Sequence, residues 1–189
     1  MNKRFPSPVA QACRLFLMAV IATLLGSATV LAADRTALER EARTAYQTLT
    51  AQVIAAKALA RDAVAVLVFP KITKAGLVVG GQYGDGVLFR DGVAVGYYNT
   101  AGASYGLQAG AQQFGYAMFF MNEKALASLQ QNEGLEVGVG PSIVVVDQGM
   151  GKSLTSTTAK EDIYAFIFSQ KGLMAGIGLQ GNKITPLGE

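Results

Sequence analysis

Residues 74–86 read KAGLVVGGQYGDG. A glycine-rich loop of this kind can wrap backbone amides around a phosphate where a helix begins. The same glycines also suit strand and turn, where a missing side chain lets backbones approach. The residues that follow decide between the two. No helix opens after Gly86, because VLF continues as strand, so the stretch lacks the context of a dinucleotide fingerprint. Asp85-Gly86 and Asp91-Gly92 are turn dipeptides flanked by apolar segments. The expectation is a hairpin of GLVVGGQY and GVLFR turning at Asp85-Gly86, then a second turn at Asp91-Gly92 into VAVGYY.

The stretch also opens a repeat. GLxxG occurs as GLVVG (76–80), GLQAG (106–110), GLEVG (134–138) and GLMAG (172–176). In a strand, alternation places Leu77 and Val79 on one face and Gly76, Val78 and Gly80 on the other. Leu107/Ala109, Leu135/Val137 and Leu173/Ala175 repeat the apolar face. A helix would hold these glycines in its interior at about 1 kcal/mol each. Four strands of antiparallel sheet are therefore expected, the glycines marking bends or close backbone approach. The segments between copies differ too much for a solenoid.

Around the repeat, AVAVLVF (63–69) is a short apolar run ended by Pro70, expected as a buried strand. Asp34 to about Arg61 predicts an amphipathic helix, with Leu38, Ala42, Ala45, Leu49 and Val53 recurring at three- and four-residue steps. Thr36 and Glu39 have the spacing of a capping box. NEKALASLQQN (122–132) predicts a second, short helix with Asn122 as N-cap and Gly134 just past its end. DIYAFIFS (162–169) is a strand or a buried helix. The fold class is α+β: an antiparallel glycine-rich sheet, open or barrel-like, with an N-terminal amphipathic helix and a short second helix.

Residues 1–32 are expected to be a signal peptide rather than fold. Lys3, Arg4 and Arg14 precede an apolar run from Leu15 to Leu25, and ATVLAAD supplies small residues for cleavage between Ala32 and Ala33, with Ala33/Asp34 as the alternative. An uncleaved anchor is the competing reading, weakened by Gly26, Ser27 and Thr29. Residues 33–189 then form a single domain of ordinary size. All 13 acidic residues follow Ala33, whereas Lys3, Arg4 and Arg14 precede it, so the domain carries no net charge. A nucleic-acid partner is not expected on that balance. The charge is uneven, with residues 34–74 net positive and the remainder net negative. Cys13 is the only cysteine and lies ahead of the apolar run, unlike the cysteine of a lipoprotein. Without cysteine or histidine in the domain, neither a disulfide nor a Cys/His zinc site can form.

Enzyme signatures fail one by one. SIVVVDQGMGKS (142–153) ends in Gly151-Lys152-Ser153, but a P-loop requires glycine where Val146 stands, and LTSTT continues as strand. A hairpin turning at 147–149 explains it better. A serine nucleophile would need a lysine base, and no S-x-x-K occurs. Asp85 with Asp91 and Glu161 with Asp162 are paired carboxylates for which turn and cap roles suffice. No catalytic residue, metal or cofactor is expected.

The series LVFPKITKAGLVVGGQYGDGVL (67–88), GLQAGAQQFGYAMFFMNEKAL (106–126), VGVGP (137–141) and SQKGLMAGIGLQG (169–181) resembles the SYLF domain, with Glu41 to Leu49 similar to its preceding helix. Eukaryotic members of that family bind phosphoinositides and, in fungi, actin filaments; exported bacterial members are regarded as lipid-binding. The resemblance implies a non-enzymatic, lipid-binding protein whose basic helix meets a membrane, through Arg35, Arg40, Arg43, Lys57 and Arg61. Lys71 and Lys74 join them by proximity. Anionic phospholipid or a membrane surface is the implied partner; actin is not expected in an exported setting, and protein partners are left open. The expected location is periplasmic, peripheral to a membrane of the bacterial envelope. Two alternatives stand beside this reading: a small outer-membrane β-barrel, suggested by the glycine–aromatic alternation of SYGLQAGAQQFGYAMFF, and an envelope scaffold that binds other proteins.

Overall fold

The computed structural model describes residues 34–76, 79–105, 110–131, 134–137, 141–146, 160–172 and 182–188. The expected signal peptide, the turn at 147–149 with its GKS, and most of the second and fourth GLxxG copies lie outside them. The chain divides into two compact units, Met1–Ala37 and Leu38–Glu189. In the first unit the described residues, 34–37, are helical. The second contains a single eight-stranded sheet in the order β5-β8-β3-β2-β1-β4-β7-β6. Its strands are β1 (Ala65–Gly76), β2 (Val79–Arg90), β3 (Val93–Tyr105), β4 (Gly110–Phe120), β5 (Leu135–Glu136), β6 (Ile143–Val145), β7 (Ile163–Gly172) and β8 (Lys183–Pro186). Every pairing is antiparallel except β6 with β7, so the sheet is mixed where an antiparallel one was expected.

Both faces of the sheet are covered. On the outer face Val66, Val68, Val87, Phe89, Phe119 and Phe166 pack under Ala42, Leu49, Ala56 and Leu59 of the N-terminal helical region. On the inner face Leu67, Phe69, Ile72, Leu88, Tyr116 and Met118 meet Leu126 and Leu129. Leu135 and Ile184 from one edge of the sheet, and Ile163 and Ala165 from the other, join that same cluster. Strands from both edges can reach one cluster only if the sheet curls, and it does so as a half-barrel around the inner core.

The opening stretch folds differently from its expected hairpin. β1 ends at Gly76 and β2 begins at Val79, with Gly76 opposite Gly80, so the first GLxxG copy is divided between two strands. QYGDGVLFR runs through Asp85-Gly86 as one strand, paired residue by residue with β3. The glycines there serve packing instead of turning: a Cβ on Gly86 would strike the Phe69 ring, and one on Gly84 the backbone at Lys71. The turn at Asp91-Gly92 does form, with positive φ at both residues (50° and 76°), as a two-residue hairpin turn of this hand requires. The second copy likewise ends where β4 opens at Gly110, and the fourth begins where β7 closes at Gly172. Within the described residues 134–137 the third keeps its expected alternation, with Leu135 and Val137 buried and Glu136 exposed.

Pro70 does not end β1. Val68 pairs with Val87 and Thr73 with Tyr83, while Phe69 pairs with Tyr116 and Ile72 with Phe114. Against either neighbour β1 therefore carries one extra residue around Pro70-Lys71. Such a bulge leaves a residue outside the ladder, which is where a proline lacking an N–H can sit inside a sheet.

The N-terminal helix is also interrupted. α1 is helical over residues 34–52, Val53 is extended (φ −113°, ψ 108°), and α2 (Ile54–Leu59) resumes. The expected apolar stripe of α1 faces the outer core, but residues 34 and 35 are already helical, so Thr36 is not an N-cap. α3 (Glu123–Gln130) follows its expectation closely: Asn122 Oδ1 accepts from the Ala125 amide at 2.8 Å, and Gly134 lies just beyond with φ 74°. The Asn122 side chain also donates to Asp162 at 2.8 Å, and Asp162 is bonded in turn to the Ser142 amide and hydroxyl. The hydrogen bond from Asn122, offset partly by burial and aided by Ser142 and Lys124, holds the Asp162 carboxyl below its ordinary range.

α3 is held by its apolar face. Leu126→Ala is expected to destabilise by about 2–5 kcal/mol, whereas Arg90→Ala, which removes the exposed Arg90–Glu123 ion pair, is expected to cost less than about 1 kcal/mol; chemical denaturation of both variants checks the contrast. Asn122→Ala is expected to lose about 1 kcal/mol near neutrality. Because the Asp162 pKa is lowered on folding, its contribution is present above the ordinary carboxylate value of about 4 and fades as pH falls through the folded one. The stability gap between wild type and Asn122→Ala should therefore narrow below about pH 4, measured by denaturation across pH.

Candidate functional site

The site on the helical face begins with the β2–β3 turn. Its backbone leaves the Gly92 carbonyl free of the ladder, and Arg43 Nη1 of α1 donates to it at 2.7 Å. The Arg43 guanidinium also lies 4.9 Å from the centre of the Phe89 ring. A planar cation suits both contacts at once, hydrogen bonding along its edge and stacking through its face. Arg43 is thus a fixed charge instead of a free surface arm. Eighteen residues further on, Arg61 leaves the end of α2 in the turn that delivers the chain to β1. The two arginines meet around one cleft of about 310 Å³, with Tyr46 and Gln47 of α1, Asp91 of the turn, and the chain at 63–66 as its other walls.

This arrangement suits an anion. Two guanidinium groups face one carboxylate, Asp91, and guanidinium recognises phosphate or carboxylate oxygens through paired N–H donors. Burial raises the Tyr46 phenol above its usual value, so at neutral pH it remains a hydroxyl. Among the described residues no group of acidic side chains is arranged to hold a metal ion.

The other expected contacts are distributed unevenly. Arg40 and Lys57 are exposed on α1 and α2, outside the cleft lining. Arg35 is partly exposed and belongs to the first unit. Lys71 is exposed in the bulge and lines a second hollow of about 250 Å³, where Glu41 and Asp85 outnumber it, so that hollow is unsuited to an anion. Lys74 is only 2 % exposed and lies on the inner face of the sheet, apart from the arginine cleft. Sequence reasoning did not single out Tyr46 and Gln47, nor the exposed Ile54 and Val93. Ile54 stands out only because the helix breaks at Val53, which the helical periodicity conceals; Val93 follows directly on the turn that Arg43 holds.

The membrane-barrel alternative does not fit this architecture. A barrel in a bilayer turns an apolar outer face to lipid, whereas here that face is buried under α1 and α2. Among the described residues no helix is long and apolar enough to cross a membrane.

No curated protein matches the chain. A family model does: Ysc84, described as Las17-binding protein actin regulator, matches residues 101–188. The match takes in the end of β3 and everything from β4 to β8, and leaves α1, α2, β1 and β2 outside it. That description names a protein-binding actin regulator. Over residues 101–188 the chain is thus similar to the Ysc84, or SYLF, family.

Proposed function

We propose that this protein is a non-catalytic phospholipid-binding protein that docks on an anionic membrane surface through its helical face, in the bacterial cell envelope. The observation that carries the reading is the pairing of Arg43 and Arg61 around one cleft. Arg40 and Lys57 extend the positive field on the same helices, and export to the periplasm rests on the signal-like leader at residues 1–32.

Magnitudes decide how such docking works. With Lys74 buried, the net charge that residues 34–74 present falls by one from their excess of seven basic over four acidic side chains. At about 1 kcal/mol per net charge, that attraction of about 2 kcal/mol supports only tens of millimolar affinity. Insertion of Ile54, which is 84 % exposed, adds about 1.5–3 kcal/mol and brings association to about millimolar or tighter. Charge selects the surface and apolar insertion holds the protein there.

Vesicle co-sedimentation tests this. Binding is expected to vesicles containing phosphatidylglycerol, to fall with added salt, and to be weak on phosphatidylcholine alone. Arg61→Glu reverses one charge, a change of about 2 kcal/mol or roughly 30-fold in affinity. Ile54→Ser should weaken binding at every salt concentration. Equal and negligible sedimentation with both vesicle types would sink the reading. Pelleting with actin filaments but not vesicles would instead favour the protein-binding role in the family description.

A further inference from the structure

The inner face of the half-barrel changes character along its length. From Leu67 to Ile72 it is apolar; one rung further it carries Lys74, flanked directly by Gln82 of β2 and Gln112 of β4. All three are buried, at 2 %, 5 % and 4 % exposure. They occupy a single rung, Gln82–Lys74–Gln112, next to the rung where Gly76, Gly80 and Gly110 end the strands. On β3 the rung continues as Gly102, and Asn182 Oδ1 takes the place that a Cβ there would fill.

Buried polar groups ordinarily find partners, and here several do not. Gln82 Oε1, Gln112 Oε1 and Asn182 Nδ2 are buried without a hydrogen bond. Tyr116, two rungs deeper along β4, leaves its hydroxyl in the same condition. Among the buried described residues no carboxylate accompanies them, and Lys74 is the only charged side chain. An apolar core would not place a lysine and two unpaired amides side by side, because each unpaired group carries a desolvation penalty.

We propose that this rung is an internal binding site for a phosphate ester that carries its own hydroxyl or amine donors, such as a phosphoglycerol group. The reasoning is chemical. The ammonium of Lys74 calls for an anion, while the unpaired amide oxygens can only accept, so the ligand must also donate. Inorganic phosphate meets the first demand and scarcely the second. Gln82 and Gln112 sit one strand to either side of Lys74, about 10 Å apart at Cα by ordinary strand spacing, so a ligand of several atoms is better suited than a single ion to meet both amides and the ammonium together. The site is separate from the arginine cleft, and the proposal does not depend on membrane docking through it.

Titration of the full chain with sn-glycerol 3-phosphate, followed by calorimetry and thermal unfolding, tests it. The expected result is saturable binding with a rise in Tm for wild type and for Arg61→Glu, a weaker effect from inorganic phosphate, and loss of binding by at least tenfold in Lys74→Met. Gln82→Leu should also lose binding while unfolding at a higher temperature than ligand-free wild type, since it removes an unpaired acceptor. If ordered water satisfies the rung instead, Gln82→Leu will unfold at a lower temperature and the ester will shift nothing; that result overturns the proposal, as does undiminished binding in a folded Lys74→Met. Vesicles separate the two sources of the ligand. Phosphatidylglycerol sedimentation reduced by Lys74→Met identifies a lipid head group, and binding of the soluble ester alone identifies a free phosphate ester. Failure of the outer-face reading shows separately, as sedimentation insensitive to Arg61→Glu.

Discussion

β1 lies at the centre of the sheet, paired along its length with β2 and β4, and it carries one residue more than either can match. Everything beyond the bulge depends on that residue. Side chains alternate across a strand, so one extra residue exchanges the faces. Phe69 before the bulge and Ile72 after it both point inward, although their numbers differ by three. Lys74 follows Ile72 to the interior, and Lys71 stays on the outside. Were the strand regular, Lys71 and Thr73 would face inward and Lys74 would be the surface lysine.

Glycine is the second constraint. Large side chains on the curled sheet lie over glycines: Phe69 over Gly86 and Phe168 over Gly115 of the neighbouring strand, and Tyr98 over Gly96 of its own. Each ring needs a neighbour with no Cβ, and a tightly curved sheet supplies many such approaches. Within SYGLQAGAQQFGYAMFF, packing of this kind accounts for Gly115, which lies under the Phe168 ring. The outer face is capped by α1 and α2, which leaves their far sides available to a partner surface, while the inner face encloses a core whose polar end has unpaired groups.

How much of this was legible in the residues varies with the range of the interaction concerned. α3 was legible in full, because capping by Asn122 and the positive φ of Gly134 are local properties. The Asp91-Gly92 turn was legible for the same reason, whereas Asp85-Gly86 has equal turn chemistry and is strand, because pairing along β3 and the Phe69 ring over Gly86 outweigh it. Pro70 misled in the same way: the local rule that proline ends a strand yields to two flanking strands and a bulge. Of the basic residues, those on the helices could be assigned to a surface from periodicity, but the meeting of Arg43 with Arg61 required the chain to break at Val53 and return.

From the residues alone follow an α+β domain with a glycine-rich sheet, the helices at its two positions, the absence of cysteine and histidine chemistry in the domain, and a likeness to the SYLF family. Which glycines turn and which pack, whether the sheet is open or curled, and which lysine is inside were decided only in three dimensions. KAGLVVGGQYGDG shows why. Its glycines are indistinguishable in local chemistry, yet Gly76 and Gly80 pair where β1 ends and β2 begins, while Gly84 and Gly86 lie within β2 against Lys71, Ile72 and the Phe69 ring of β1. Local propensity limits what a residue can do, and the register imposed by neighbouring strands selects among those options, including the one that buries Lys74 between two glutamines.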